Sequence, residues 1–220
     1  MKSIKVKYPT QTQLVEIADK KYVLEVIRSL DEAIDLLCNE LTEEEQADPF
    51  SEDLCPYFGI LWPAARALAT FLGDHPELVN GKKGIELGCG LGLPSLVATH
   101  LGGDVLATDY HPDVEEYFLR NARHSDIKVK YQRLNWREGN SLGQYDLVLG
   151  SDILYESKHA REVAEGLIKY AQPGSHIVLA DPGRAYLQKF LDAMNELGHK
   201  EEIHFINIDG KEQFVIKYSL

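Results

Sequence analysis

Three alternate glycines, Gly88, Gly90 and Gly92, interrupt the run Gly84-Ile85-Glu86-Leu87-Gly88-Cys89-Gly90-Leu91-Gly92-Leu93-Pro94. The residues before them read as a buried strand, and the residues after them read as the start of a helix. Glycine lets a backbone pass close under a ligand, because no Cβ stands in the way. A helix that begins there aims its free N–H groups at whatever occupies the loop. A second apolar run, Val105-Leu106-Ala107-Thr108, ends in Asp109. An acid at the tip of the next parallel strand can accept hydrogen bonds from a ribose diol. Together these residues describe a pocket for a nucleoside-containing cofactor; the alternative is a generic strand–turn–helix. The spacing is G-x-G-x-G, and Leu93 stands at the third position of the dinucleotide fingerprint. Glu86 lies just ahead of the glycines, where it can attract an ammonium directly or through water.

These residues need a sheet to hold them. From Gly84 onward apolar runs and helical patterns alternate, which predicts an α/β fold with a doubly wound parallel sheet. Strands are expected at 84–88, 104–109, 128–134, 145–151 and 176–181, with helices near 92–101, 112–123, 159–171 and 184–197. Two alternating runs, 201–208 and 212–219, flank Asp209-Gly210, a strong hairpin signal. Ligands of such sheets bind beyond the carboxyl ends of the strands. Those ends are Gly88-Cys89-Gly90, Asp109-Tyr110, Asn135-Trp136, Ser151-Asp152 and Asp181-Pro182. Asp109 is the expected ribose ligand, with a helix N-cap as its alternative reading. Trp136 can stack or simply pack. Arg184 can anchor a substrate acid or a lid loop, or form a salt bridge near a helix start.

The chain divides at about residue 48 into an N-terminal extension, 1–48, and a main domain, 49–220. In the extension, Gln13 to Ala18 and Tyr22 to Ile27 read as a hairpin turning at Asp19-Lys20-Lys21. Ser29 and Glu32 form a capping box for a helix running through Leu36, Leu37 and Leu41. The acidic stretch Glu43 to Asp48 reads as a solvated helix end or loop. Phe50, Pro56, Tyr57, Phe58, Trp62 and Pro63 crowd one short span. That span either packs the extension onto the core or lays aromatic faces near a sulfonium cation.

A pyrophosphate requires the tight helix approach that Leu93 obstructs; a methionine-bearing nucleoside, whose charged end is a zwitterion, does not. The run Glu86-Leu87-Gly88-Cys89-Gly90-Leu91-Gly92 resembles the first motif, E-L-G-C-G-x-G, of class I S-adenosylmethionine-dependent methyltransferases. Ser151-Asp152-Ile153-Leu154-Tyr155-Glu156 resembles the D-x-x-Y signature of the seven-β-strand protein lysine methyltransferases, which Trp62 also matches. Pro56-Tyr57-Phe58-Gly59-Ile60-Leu61-Trp62-Pro63 and Ala180-Asp181-Pro182-Gly183-Arg184 resemble stretches of the electron-transfer-flavoprotein β-subunit lysine methyltransferases and their bacterial relatives. The resemblance spans about residues 49–190. It implies a mostly parallel seven-stranded sheet closed by an antiparallel hairpin. It implies S-adenosyl-L-methionine as cofactor, S-adenosyl-L-homocysteine as product, and a lysine of a partner protein as acceptor. It implies cofactor contacts at Trp62, Glu86, Gly88, Cys89, Gly90, Gly92, Asp109, Tyr110, Asn135, Trp136 and Ser151. Asp152 would hold the acceptor amine, and Tyr155, one helical turn on, would align it. Two residues depart from the pattern: Gly59, and Asn135 in place of an acid beside adenine. The Asn135 oxygen can still accept from an adenine amino group. A small-molecule methyltransferase and a non-catalytic nucleoside-binding or scaffold protein are the competing readings.

Composition agrees. The 220 residues suit one α/β domain with a small extension, and the net charge of -12 argues against a broad nucleic-acid footprint. Cys38, Cys55 and Cys89 have no metal spacing and no even pairing, so a reducing, cytoplasmic setting and no metal are expected. No apolar run reaches membrane-spanning length, and the start lacks a signal-peptide core, so no membrane partner is expected. Oligomeric state is not legible.

Overall fold

The computed structural model describes residues 8–41, 54–135, 142–155 and 159–220. Strands β3 (Lys83–Leu87), β4 (Asp104–Asp109), β5 (Lys130–Arg133), β6 (Tyr145–Ser151), β7 (Ala171–Asp181), β8 (Glu201–Ile208) and β9 (Lys211–Ser219) form one sheet in the order β5-β4-β3-β6-β7-β9-β8. The first five are parallel; β9 runs antiparallel to β7 and to β8. This is the expected class. The inner parallel strands are buried almost continuously, as strands covered on both faces must be, whereas the edge strand β8 alternates. Its outward residues Ile203 and Phe205 are exposed, and the Phe205 ring lies edge-on to Phe214 at 5.0 Å.

Helices α2 (Pro63–Asp74), α3 (Leu93–His100) and α4 (Val114–His124) cover one face of the sheet, where Leu68, Leu72, Leu93, Val97 and Phe118 are packed. Helices α5 (His159–Tyr170) and α6 (Leu187–Glu196) cover the other, with Leu167, Phe190 and Met194. From β3 the chain winds outward through β4 to β5, then returns to place β6 on the opposite side of β3. The crevice at the carboxyl end of β3 is therefore the switch point, where such sheets take their ligands. Among the described residues no helix is long and apolar enough to cross a membrane.

The N-terminal hairpin pairs β1 (Thr10–Ile17) with β2 (Lys20–Ile27). Its turn is Ala18-Asp19, both at positive φ (49° and 60°), one residue earlier than Asp19-Lys20-Lys21. Lys20 and Lys21 pair with Ile17 and Glu16, so they belong to the strand. A two-residue turn with both centres left-handed matches the twist of the flanking strands, so the chain reverses at Ala18-Asp19 and both lysines enter the ladder. The capping box on α1 (Leu30–Glu40) is half formed. Ser29 Oγ accepts the Glu32 N–H at 3.3 Å, but the Glu32 carboxylate turns to Arg28 at 2.8 Å. Strand β7 starts at Ala171, ahead of the expected 176, because a bulge separates the pair Tyr145–Ala171 from Leu147–His176. Gln172-Pro173-Gly174-Ser175 fill the bulge, which suits a Pro without an N–H and a Gly174 at φ 81°.

The hairpin shares the core of the main sheet: Tyr22, Leu24, Val26 and Ile27 are buried in the cluster that includes Phe118 and Leu68. The Glu25 N–H donates to Asn121 Oδ1 at 2.7 Å, and the Val23 N–H donates to Ser125 Oγ at 3.2 Å. Asn121 is fully buried, and its Nδ2 donates to the Leu91 carbonyl at 3.3 Å. One amide thus ties β2 to the glycine loop. Gly59 has a reason in the same contact: a Cβ there would stand 2.2 Å from Ile27 Cδ1. Replacing Asn121 by Ala strips a donor and an acceptor of their partners, and should lower stability by about 1–3 kcal/mol. Urea unfolding should show a lower midpoint at an unchanged m-value.

Candidate active site

Strand β3 ends at Leu87, and Gly88 to Gly92 turn the chain into α3, with Gly92 as N-cap at φ 79°. A Cβ at Gly92 would lie 2.1 Å from the Phe118 ring, and one at Gly88 would lie 2.8 Å from Ile153 Cγ2. At Gly90 it would meet the Phe58 carbonyl at 3.1 Å. The nearest neighbours of all three glycines are thus protein atoms. The sequence pattern suggests glycines that clear space for a ligand; close packing of the loop on Phe118, Ile153 and Phe58 already requires them. Cys89 is buried in the loop, its N–H on the Thr108 carbonyl at 2.9 Å. Burial pushes its thiol well above the ordinary range, which suits packing and not nucleophilic attack.

Glu86 is fully buried on β3. Its Oε2 accepts the Ser95 N–H at 3.0 Å and also the Ser95 hydroxyl. Its Oε1 is buried and has no hydrogen-bond partner. Burial pushes the carboxyl up to about 8, against the pull of the two Ser95 bonds. An orphaned, buried carboxylate oxygen beside a helix N-terminus fits an ammonium, or the water that serves one.

Asp109, at the tip of β4, reaches back across the crevice. Its Oδ2 accepts the Gly90 N–H at 2.9 Å, and its Oδ1 accepts the His111 N–H at 2.9 Å. It is not the cap of α4; that position belongs to Asp113. Burial raises its pKa, opposed by the N–H groups of Gly90 and His111. A carboxylate has about four lone-pair sites, so two bonds leave room for a diol. Tyr110 follows, its carbonyl bonded by Arg133 Nε at 2.9 Å and its ring under the Arg133 guanidinium at 5.5 Å. Asn135 follows β5, where the neighbouring Leu134 N–H donates to the Asp109 carbonyl at 2.8 Å. Trp136 lies outside the described residues.

The aromatic span covers the loop. Its 3-10 turn, Pro56–Gly59, sets the Phe58 ring 4.4 Å from His111 and 5.1 Å from Tyr117. His111 Nε2 donates to the Leu54 carbonyl at 3.0 Å, and its Nδ1 accepts the Asp113 N–H at 3.1 Å. Those partners fix the neutral ring, and burial lowers its pKa to about 4. Trp62 donates its indole N–H to the Tyr57 carbonyl at 2.9 Å and leads into α2. The packing role of this span is therefore visible. Phe58 and His111 carry it, and His111 has no sequence motif to mark it.

On the other side of β3, β6 ends at buried Ser151. Asp152 takes a left-handed φ of 62° and donates its N–H to the Ala180 carbonyl at 2.9 Å. This conformation places Ile153 against Gly88 and Gly150, which joins the Asp152 turn to the glycine loop. The Asp152 carboxylate forms an ion pair with Arg184, so the salt-bridge reading of Arg184 holds, with an unexpected partner. Burial raises the Asp152 pKa, and Arg184 pulls it back. Tyr155 is 50% exposed and, like Ile153 and Leu154, lies in neither helix nor strand. It is therefore not one helical turn on from Asp152, contrary to the expectation from sequence. Ser95, Asp181 and Arg184 complete the electrostatics of the site; Asp181 and Arg184 lie in the Ala180–Arg184 stretch, whereas Ser95 carries no local motif because it acts on Glu86 from another element.

The glycine turn, the acids at the ends of β3 and β4, and the Asp152 turn thus converge on one crevice. Comparison with known proteins gives this crevice a family. The family described as lysine methyltransferase matches residues 53–205. The electron transfer flavoprotein beta subunit lysine methyltransferase of Xenopus laevis is 30% identical over 151 residues, covering 67% of this chain and 60% of that protein. Protein N-lysine methyltransferase METTL21A of Danio rerio is 32% identical, covering 66% of this chain and 71% of that one. The chain spans less than two thirds of the flavoprotein-directed relative. A methyltransferase from Pyrococcus furiosus shares the fold, with a TM-score of 0.59 at 17% identity over 73% of this chain and 87% of that one. With most of its length inside the matched region, the chain belongs to the lysine methyltransferase family.

Proposed function

We propose that this protein transfers a methyl group from S-adenosylmethionine to a lysine side chain of a partner protein. The observation that carries the reading is the pairing of two acid sites across β3: Glu86 and Asp109 on the cofactor side, Asp152 on the acceptor side. The relatives named for lysine methylation of proteins support the acceptor class. An acidic chain, at net charge -12, also suits a lysine-bearing partner.

S-adenosylmethionine, when bound, supplies a methyl already activated by a positive sulfur. The chain has to hold and align. Glu86 Oε1 would take the ammonium end, the Asp109 carboxylate would take ribose hydroxyls, and the Asn135 side-chain oxygen would accept from the adenine amino group. Alignment of two reactants can contribute up to about 7–11 kcal/mol to lowering a barrier. Asp152 captures and orients the acceptor nitrogen. A carboxylate raises the pKa of a neighbouring ammonium, so Asp152 holds the amine rather than activating it, and the proton leaves to water.

Two outcomes test this. Labelled S-adenosylmethionine incubated with a cell extract and the protein should mark a protein band at lysine. Label confined to small molecules, or absent despite cofactor binding, would reject the proposal. In the same assay Asp152→Ala should cut labelling by about a hundredfold or more, while S-adenosylhomocysteine affinity, read by calorimetry, stays within about twofold. The pH dependence of cofactor binding tests Glu86. Its carboxyl sits at about 8 when empty, and a bound ammonium favours the ionised form, so binding expels a proton. Affinity should therefore rise with pH, by up to about tenfold per unit between about pH 6 and 7.5. Glu86→Gln should bind more weakly and lose that slope.

A further inference from the structure

Asp152 follows β6 and Asp181 ends the neighbouring β7, and one guanidinium closes over both. The Asp181 side chain is fully buried, and its Oδ1 accepts the N–H groups of Gly183 and Arg184, each at 2.8 Å. Its Oδ2 has no hydrogen bond and lies 3.6 Å from Arg184 Nη1. The same nitrogen pairs with the Asp152 carboxylate and lies 3.4 Å from the Asp152 carbonyl. Asp152 has 8% of its side chain exposed and Arg184 has 31%. The arginine is thus the solvent-side cover on two sunken carboxylates. Two acids facing one base leave a formal charge of minus one, which a second cation would neutralise.

We propose that Arg184 is a resident counter-cation, which occupies Asp152 until a primary ammonium arrives and then moves onto Asp181 Oδ2. This rests on the reading of Asp152 as the group that holds the acceptor amine. The move is a side-chain rotation, because the Arg184 backbone is already pinned to Asp181 Oδ1 by its N–H. The landing oxygen lacks a hydrogen-bond partner, as Asp152 Oδ1 does beside its ion pair with Arg184, so the guanidinium can form a hydrogen bond there. Cation replaces cation, so Asp152 faces a cation before and after the exchange and is bare only in the minor population between them, which is rare because a bare buried carboxylate is strongly destabilising. A neutral hydroxyl cannot make that replacement, so the device selects for amines. Its cost is affinity, since only the fraction of molecules with Arg184 off Asp152 can accept the amine.

The full chain, loaded with S-adenosylhomocysteine, can be titrated with n-butylammonium chloride as a probe of the lysine side chain. Arg184→Met should bind the probe about tenfold more tightly than the natural chain, with Arg184→Lys between the two, and Asp152→Asn should not bind it. A merely structural arginine would give equal or weaker binding in Arg184→Met, and that result overturns the proposal. Should Arg184→Met fold poorly, the natural chain supplies a second readout. Its Arg184 Nε–H NMR signal should shift on adding n-butylammonium and stay in place with n-butanol; a signal unmoved by both overturns the exchange. No turnover is involved. Extract labelling with no tightening in Arg184→Met would sink the exchange alone, whereas tightening without any labelling would sink methyl transfer to a protein alone.

Discussion

Burial of carboxyl groups is the constraint around which this crevice is arranged. Glu86, Asp109, Asp152 and Asp181 all stand on β3, β4, β6 or β7 or just past their ends, and burial raises the pKa of each. A carboxylate cannot stay charged there without donors. The donors come from the first turn of α3 and from backbone turns: Ser95 for Glu86, Gly90 and His111 for Asp109, Gly183 and Arg184 for Asp181. Those turns exist only because glycines and left-handed residues let the chain reverse tightly at the strand ends. The loops that would bind a ligand are thus the ones that make its binding acids tolerable.

This constraint separates what the sequence reveals from what it hides. The inner parallel strands β3, β6 and β7 are legible because burial on both faces makes them nearly continuous apolar runs, and the β8–β9 hairpin because Asp209-Gly210 is a local signal. The acids at strand ends are legible for the same local reason. Their partners are not. Ser95 is nine residues from Glu86, and Arg184 reaches Asp152 from another strand end. Such pairings depend on which strands are neighbours, and alternation does not specify that. Local chemistry also misleads twice. Lys20 and Lys21 look like turn residues, yet strand twist selects Ala18-Asp19; Tyr155 looks helical, yet Ile153 to Tyr155 lie in neither helix nor strand.

The glycines carry two demands at once. Phe118 and Ile153 come so close to Gly92 and Gly88 that a side chain is excluded before any ligand is considered. Asn121 then couples the same loop to β2 through Leu91 and Glu25. The hairpin, which reads in sequence as an appendage, is in this sense part of the floor beneath the crevice.

The position of β9 has a consequence for how the chain matures. Residues 211–219 are synthesised after the other six strands of the sheet, yet they fill an inner place between β7 and β8. Until the ribosome releases them, β7 has a long, apolar, unpaired margin, the kind of surface on which nascent chains adhere to one another. The parallel half of the sheet can assemble beforehand, but its open side is sealed only when the β8–β9 hairpin pairs with β7.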